Sequence, residues 1–129
     1  MEVFVQFCDG PLGHPQNLLH PSPGAGALVE FQGIVRGSEN GAPIGGLRYE
    51  LYPPMAEREI RLILEELSAA HPCEAVAVVH RWGPVPVGEC AIYVGISSAH
   101  RQEGFRMLSA FMDAFKQRVP IWKTEVLPC

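Results

Sequence analysis

Twelve prolines and 13 glycines punctuate the 129 residues of this chain, many of them in its first third. Each proline removes a backbone donor and each glycine adds chain entropy that folding must remove, so regular elements have to fit between them. What fits is a series of short strands and two helices. Residues 3–7 are β-rich and read as a strand. Residues 9–26 are broken by Gly10, Pro11, Gly13, Pro15, Pro21, Pro23, Gly24 and Gly26 into a long surface segment, with one helical turn around Asn17, Leu18 and Leu19. Residues 27–36 form a second strand. A polar turn over 37–41 holds Asn40-Gly41, the strongest hairpin signal in the chain, and residues 47–52 alternate as its return strand.

Pro53 and Pro54 stop that strand and Met55 opens a helix. Ile60, Ile63, Leu64 and Leu67 recur at helical spacing, with Glu57, Arg58, Glu65 and Glu66 on the other side. This helix ends near His71-Pro72. Residues 75–81 and 90–97 are strands, joined by a connection through Gly83, Pro84, Val85 and Pro86. A second helix spans about 99–118, with Phe105, Leu108, Met112 and Phe115 on one face, until Pro120 breaks it and residues 121–127 form a last strand. Strands with two helices interspersed, without strict alternation, predict an α+β fold with a mixed or antiparallel sheet, as one domain over 1–129.

Charge and cysteine content narrow the function classes. Hydrophobic residues are 47% and charged ones 19% of the chain, which fits a globular protein and not a disordered one. Ten Lys and Arg against 14 Asp and Glu leave a formal charge of −4, the wrong sign for sequence-blind binding to nucleic acid. No apolar run approaches the roughly 20 residues that span a bilayer. Met1-Glu2-Val3-Phe4 lacks a basic segment before a long apolar run, so no secretory signal is expected. Cys8, Cys73, Cys90 and Cys129 include no CxxC pair, and reduced thiols in a cytoplasmic protein are the expectation. No His, Asp and Glu pattern resembles a metal site, and no phosphate-loop, dinucleotide or nucleophile-elbow motif is present.

Eight of the ten basic residues are Arg; the two lysines are Lys116 and Lys123. They flank Pro120-Ile121-Trp122, so a helix, a turn and a returning strand can aim both ammonium groups into one pocket. A lysine is a compact charge that can serve as nucleophile or proton carrier, which a guanidinium cannot. The plainer reading is two ordinary surface residues. Ser97-Ser98-Ala99-His100-Arg101 forms a second constellation: a strand end, a capping serine, and His100 and Arg101 in the first turn of the second helix. A cation beside the positive end of a helix is locally unfavourable, and an anionic ligand would offset that; a solvated cap is the plainer alternative. Arg36, at a strand end, can fork onto a phosphate or simply be solvated. His80-Arg81 invites a similar story but ranks lower, because Trp82-Gly83-Pro84 beside it suggests packing at a turn. By pattern alone Phe31 and Met112 are core residues, and Trp122 is either core or a stacking wall.

Five runs converge on a family. Phe31-Gln32-Gly33-Ile34-Val35-Arg36, Tyr49-Glu50-Leu51-Tyr52 with Met55-Ala56-Glu57, His80-Arg81-Trp82-Gly83, Ser98-Ala99-His100-Arg101 and Pro120-Ile121-Trp122-Lys123-Thr124-Glu125 occur in the order of, and together resemble, the large, catalytic subunit of molybdopterin synthase. The resemblance runs from about residue 26 to 125. It implies an α/β-hammerhead-type fold and a sulfurtransferase that acts in molybdenum cofactor biosynthesis without a resident metal or cofactor. It also implies a homodimer of this subunit with a small ubiquitin-like sulfur carrier at each end, a heterotetramer. The carrier would insert a C-terminal diglycine thiocarboxylate into a pocket, and two sulfurs would pass to cyclic pyranopterin monophosphate (precursor Z) to form a dithiolene. Carried over by position, Lys116 and Lys123 are the catalytic residues. Ile34, Val35, Arg36, His100, Arg101, Thr124 and Glu125 contact substrate, and Phe31 and Met112 line the pocket. After Arg36 the family often has Asn-His-Asn, where this chain has Gly37-Ser38-Glu39-Asn40. The short stretch after Glu125 implies a reduced contribution of a tail to closing the pocket. Two other classes fit the residues alone: a non-catalytic module that binds an anionic metabolite, and a structural subunit whose cations only pair with an acidic partner.

Overall fold

The computed structural model describes residues 1–129 as nine strands and two helices. In chain order they are β1 (Glu2–Cys8), a 3₁₀ turn (Pro15–Leu18), β2 (Ala27–Ile34), β3 (Ser38–Glu39), β4 (Ala42–Pro43), β5 (Gly46–Leu51), α1 (Pro53–Ser68), β6 (Ala75–Arg81), β7 (Gly83–Pro86), β8 (Cys90–Ser98), α2 (Arg101–Arg118) and β9 (Ile121–Leu127). The architecture is α+β. A four-stranded sheet has the order β1-β6-β8-β2, and a three-stranded sheet has the order β7-β5-β9. In the larger sheet β1 runs parallel to β6, and the other pairs are antiparallel.

The main core lies between the larger sheet and both helices. Val76, Val78, Ile92, Val94 and Ile96 project from one face of the sheet, at the two-residue period of a strand. Ala56, Ile60, Ile63 and Leu64 of α1 and Met107, Phe111 and Phe115 of α2 cover them. The α1 set recurs at helical spacing, so one stripe is buried and the Glu and Arg stripe is solvated. Ile63 is fully buried, and Ile63→Val should lower the unfolding free energy by about 1 kcal/mol in a urea titration. On the other face of the sheet, Leu18 and Leu19 of the long 9–26 segment pack on Phe4, Ala75 and Ala77. That segment is thus a cover for the sheet, which its proline content alone did not suggest.

Several sequence expectations change. The strand over 27–36 and the one over 47–52 do not pair as a hairpin. β2 pairs with β8, and β5 pairs with β7 and β9. Asn40 and Gly41, both at positive φ, close only the two-residue ribbon β3–β4. A turn signal governs its immediate neighbours. Beyond the ribbon the chain passes into the other sheet, where the Gly45 N–H donates to the Leu127 carbonyl and the Pro128 carbonyl occupies the space a Cβ on Gly45 would need. Gly83–Pro86 is strand β7 instead of a bare connection. Helix α1 begins at Pro53, two residues before Met55, because a proline in the first turn gives up a donor that has no helical partner anyway. On α2 the buried positions are Gly104, Met107, Phe111 and Phe115, and Phe105 is 57% exposed.

Candidate active site

The two sheets, the last turns of α2 and the segment after β2 line an open cavity of about 360 Å³. Lys116 reaches it from α2. At Val119 the backbone turns extended, with its N–H donating to the Phe115 carbonyl, and Pro120 prevents the helix from continuing. Strand β9 then runs back along β5 with Lys123 opposite Tyr49. Both lysines therefore line the one cavity, and Arg36 joins them from the end of β2.

The surroundings separate these cations from the structural ones. Arg118, two residues after Lys116, is held by Glu59 and Glu66 of α1 at 2.7 and 2.6 Å. Lys116 is exposed and forms no ion pair. The Lys123 Nζ lies 3.8 Å from the Glu39 carboxylate, which the small ribbon brings to the cavity rim. Phe31, Ile34 and Met112 give the cavity apolar walls.

His80 and Tyr49 also line it, and sequence reasoning missed them as site residues. His80 is only 3% exposed. Its ring stacks on Phe115 at 5.9 Å and meets the Tyr49 ring edge-on at 5.3 Å. Burial pulls its pKa down to about 4, so the imidazole is neutral at pH 7. Burial, with the Glu39 charge nearby, pushes the Tyr49 phenol up. A signal for His80 was available: it shares the strand parity of Val76 and Val78, whose side chains face the helices.

The other predicted site residues lie elsewhere. Val35 is 3% exposed and packs in a second core with Ile44, Leu47, Val85 and Ala91. Thr124 is exposed outside the cavity lining, and the Glu125 carboxylate accepts from Arg48 Nε at 2.8 Å. Trp122 is exposed as well, neither core nor cavity wall. His100 and Arg101 sit at the start of α2, about 22 Å along the helix axis from Lys116. There Ser98 Oγ donates to the His100 carbonyl at 2.7 Å, and no side chain caps the first turn of the helix. One copy of the chain does not bring these two residues to the lysines.

None of the cysteines lines the cavity. Burial raises the thiol pKa of Cys8 and Cys90 and pushes Cys73 up to about 11, which makes them poor nucleophiles at neutral pH. No group of three or more His, Cys, Asp or Glu side chains is arranged to hold a metal ion. No helix is long and apolar enough to cross a membrane. A second cavity, of about 330 Å³, lies beneath residues 11–16, where Arg81 is already paired with Glu89 at 2.7 Å.

Residues 11–118 match the family model described as MoaE protein. The chain is 44% identical over 105 residues to the molybdopterin synthase catalytic subunit of Bos taurus, an alignment that covers 81% of this chain and 56% of the bovine protein. This chain thus spans little more than half the length of that relative. The X-ray crystal structure of molybdopterin synthase from Staphylococcus aureus superposes with a TM-score of 0.85 at 32% identity, covering 94% of this chain and 89% of that one. A complex of subunits 1 and 2 of molybdopterin-converting factor from Helicobacter pylori contains a chain of the same fold, with a TM-score of 0.75 at 19% identity over 97% of this chain and 89% of that one.

Proposed function

The chain belongs to the MoaE protein family, and on that premise we propose that it is the catalytic subunit of a molybdopterin synthase, a sulfurtransferase of molybdenum cofactor biosynthesis. Its sulfur donor is the C-terminal thiocarboxylate of a small ubiquitin-like carrier subunit. Its acceptor is cyclic pyranopterin monophosphate, which gains two sulfurs as a dithiolene. The observation that carries this reading is the convergence of Lys116, Lys123 and Arg36 on one cavity. Both guests are anions, and the cavity meets them with fixed positive charge and apolar walls. The raised thiol pKa values argue that the sulfur comes from outside this chain.

In this reading Lys116 lies beside the thiocarboxylate carbon. It stabilises negative charge as sulfur attacks the pterin side chain, and again when water releases the acyl group. Lys123 holds the substrate and assists proton transfer, and Arg36 forks onto the phosphate. No resident metal or cofactor takes part. The enzyme works in the cytoplasm as a homodimer with a carrier at each end.

The dimer would give His100 and Arg101 a role. Strand β2 is a free edge of the larger sheet and runs from Ala27, beside Ser98, to Ile34 at the cavity. A second copy laid antiparallel along that edge brings the partner subunit's His100 and the partner subunit's Arg101 toward Arg36. They then complete the anion site with Arg36, while Val35 in the second core, Thr124 outside the cavity lining and Glu125 paired with Arg48 stay out of it.

Incubating the purified chain with thiocarboxylated carrier and precursor Z should yield dithiolene product. Binding of both without turnover would overturn the catalytic reading in favour of a binding module. Arg36→Ala should raise the dissociation constant for precursor Z roughly tenfold, the loss of one charge-assisted pair. Calorimetry on the variant checks this, and unchanged affinity would remove Arg36 from the phosphate site.

A further inference from the structure

The cations of the cavity are donors, and the phosphate and thiocarboxylate satisfy them. A pterin ring system also carries N–H donors of its own, which need acceptors. At the rim, the Glu39 carboxylate is engaged with Lys123. On the floor lies His80.

We propose that His80 is a substrate-orienting residue, whose Nε2 accepts a hydrogen bond from an N–H of the bound pterin. This rests on the reading of the cavity as a pterin site. The ring is held on three sides: Phe115 stacks on its face, Tyr49 meets it edge-on, and Nδ1 lies 2.7 Å from the Arg81 carbonyl oxygen. A carbonyl oxygen only accepts, so Nδ1 carries the proton and Nε2 carries the lone pair. No protein group donates to Nε2. The fully buried side-chain atoms without partners are Glu74 Oε2, Arg81 Nε and Glu103 Oε2, so Nε2 is not sealed in the core. His80 lines the cavity, and with Nδ1 turned to the Arg81 carbonyl the ring edge left for a ligand there is the one that carries Nε2. A ring locked in plane and tautomer, with one free acceptor facing the ligand space, selects a donor at a fixed position. The burial that keeps this imidazole neutral also keeps that lone pair available at physiological pH.

The test is long-range proton–nitrogen NMR of the full-length ¹⁵N-labelled protein. In the free protein, the His80 nitrogens should show a protonated Nδ1 and an unprotonated Nε2. Adding cyclic pyranopterin monophosphate should move the Nε2 resonance upfield, and inorganic phosphate, which can occupy the cations alone, should not. His80→Phe, which keeps a flat ring, should weaken pterin binding and raise KM roughly tenfold with a smaller change in kcat. His80→Gln, which restores an acceptor of similar reach, should recover most of that loss. A core-packing role would move the melting temperature of both variants without this split. An Nε2 resonance unmoved by bound pterin, a proton found on Nε2 in the free protein, or wild-type affinity in His80→Phe would overturn the assignment alone. Failure of the wild-type protein to bind the pterin would overturn the reading of the cavity, and the assignment with it.

Discussion

Replacing Lys116 with alanine should slow dithiolene formation by roughly a hundred- to a thousandfold, the usual penalty for removing one preorganised charge from a transition state. The melting temperature should not move, because this side chain is exposed and makes no ion pair in the fold. The more telling variant is Lys116→Arg. It keeps the positive charge, but a guanidinium stays protonated and presents a flat fork in place of a compact ammonium. A catalytic Lys116 predicts severe loss in this variant too. Steady-state kinetics with thiocarboxylated carrier measure both. Wild-type turnover in Lys116→Ala would end its catalytic assignment. Full activity in Lys116→Arg would reduce its role to charge pairing.

The second large effect concerns pH. His80 has a folded pKa of about 4 against 6.5 for the free side chain, and burial is the main cause. A histidine with a depressed folded pKa binds its proton more tightly in the unfolded chain. Its contribution to stability is therefore complete above pH 6.5 and is lost as pH falls toward 4. The full loss across this window is about 3 kcal/mol. Urea titrations at pH 7, 5.5 and 4 should show that decline, and NMR titration of the native protein should find the His80 ring neutral until near pH 4. A His80 that titrates near pH 6.5 in the folded protein would contradict both the burial and the decline.

How much of this was legible in the chain varies by element. The α1 stripe of Ile60, Ile63 and Leu64 was readable because a helical period is local, and it survives whatever partner covers it. The β-branched runs over 75–81 and 90–97 read as buried strands for the same reason. The α2 face was read one step out of phase at Phe105, since the helix also carries apolar residues toward solvent and only its packing on β2 and β8 tells the two faces apart. The hairpin from Asn40-Gly41 failed because strand pairing is a non-local choice. Residues 27–34 found β8, some sixty positions away, and residues 46–51 found β7 and β9.

The site divides along the same line. The scarcity of lysine, the placing of Lys116 and Lys123 about Pro120, and the resemblance carried by five short runs were all present in the residues, since residue identity and spacing need no coordinates. Which of those residues share a cavity was settled by folding. Strand alternation turned Val35 into the second core beside Ile34 and Arg36 at the pocket. The rigid length of α2 held His100 and Arg101 a full helix away from Lys116. The meeting of two sheets set Tyr49 and His80 behind the lysines. Chemistry that depends on one residue and its near neighbours is written along the chain, whereas the company a side chain keeps depends on long-range pairing and burial, which exist only after the chain has closed on itself.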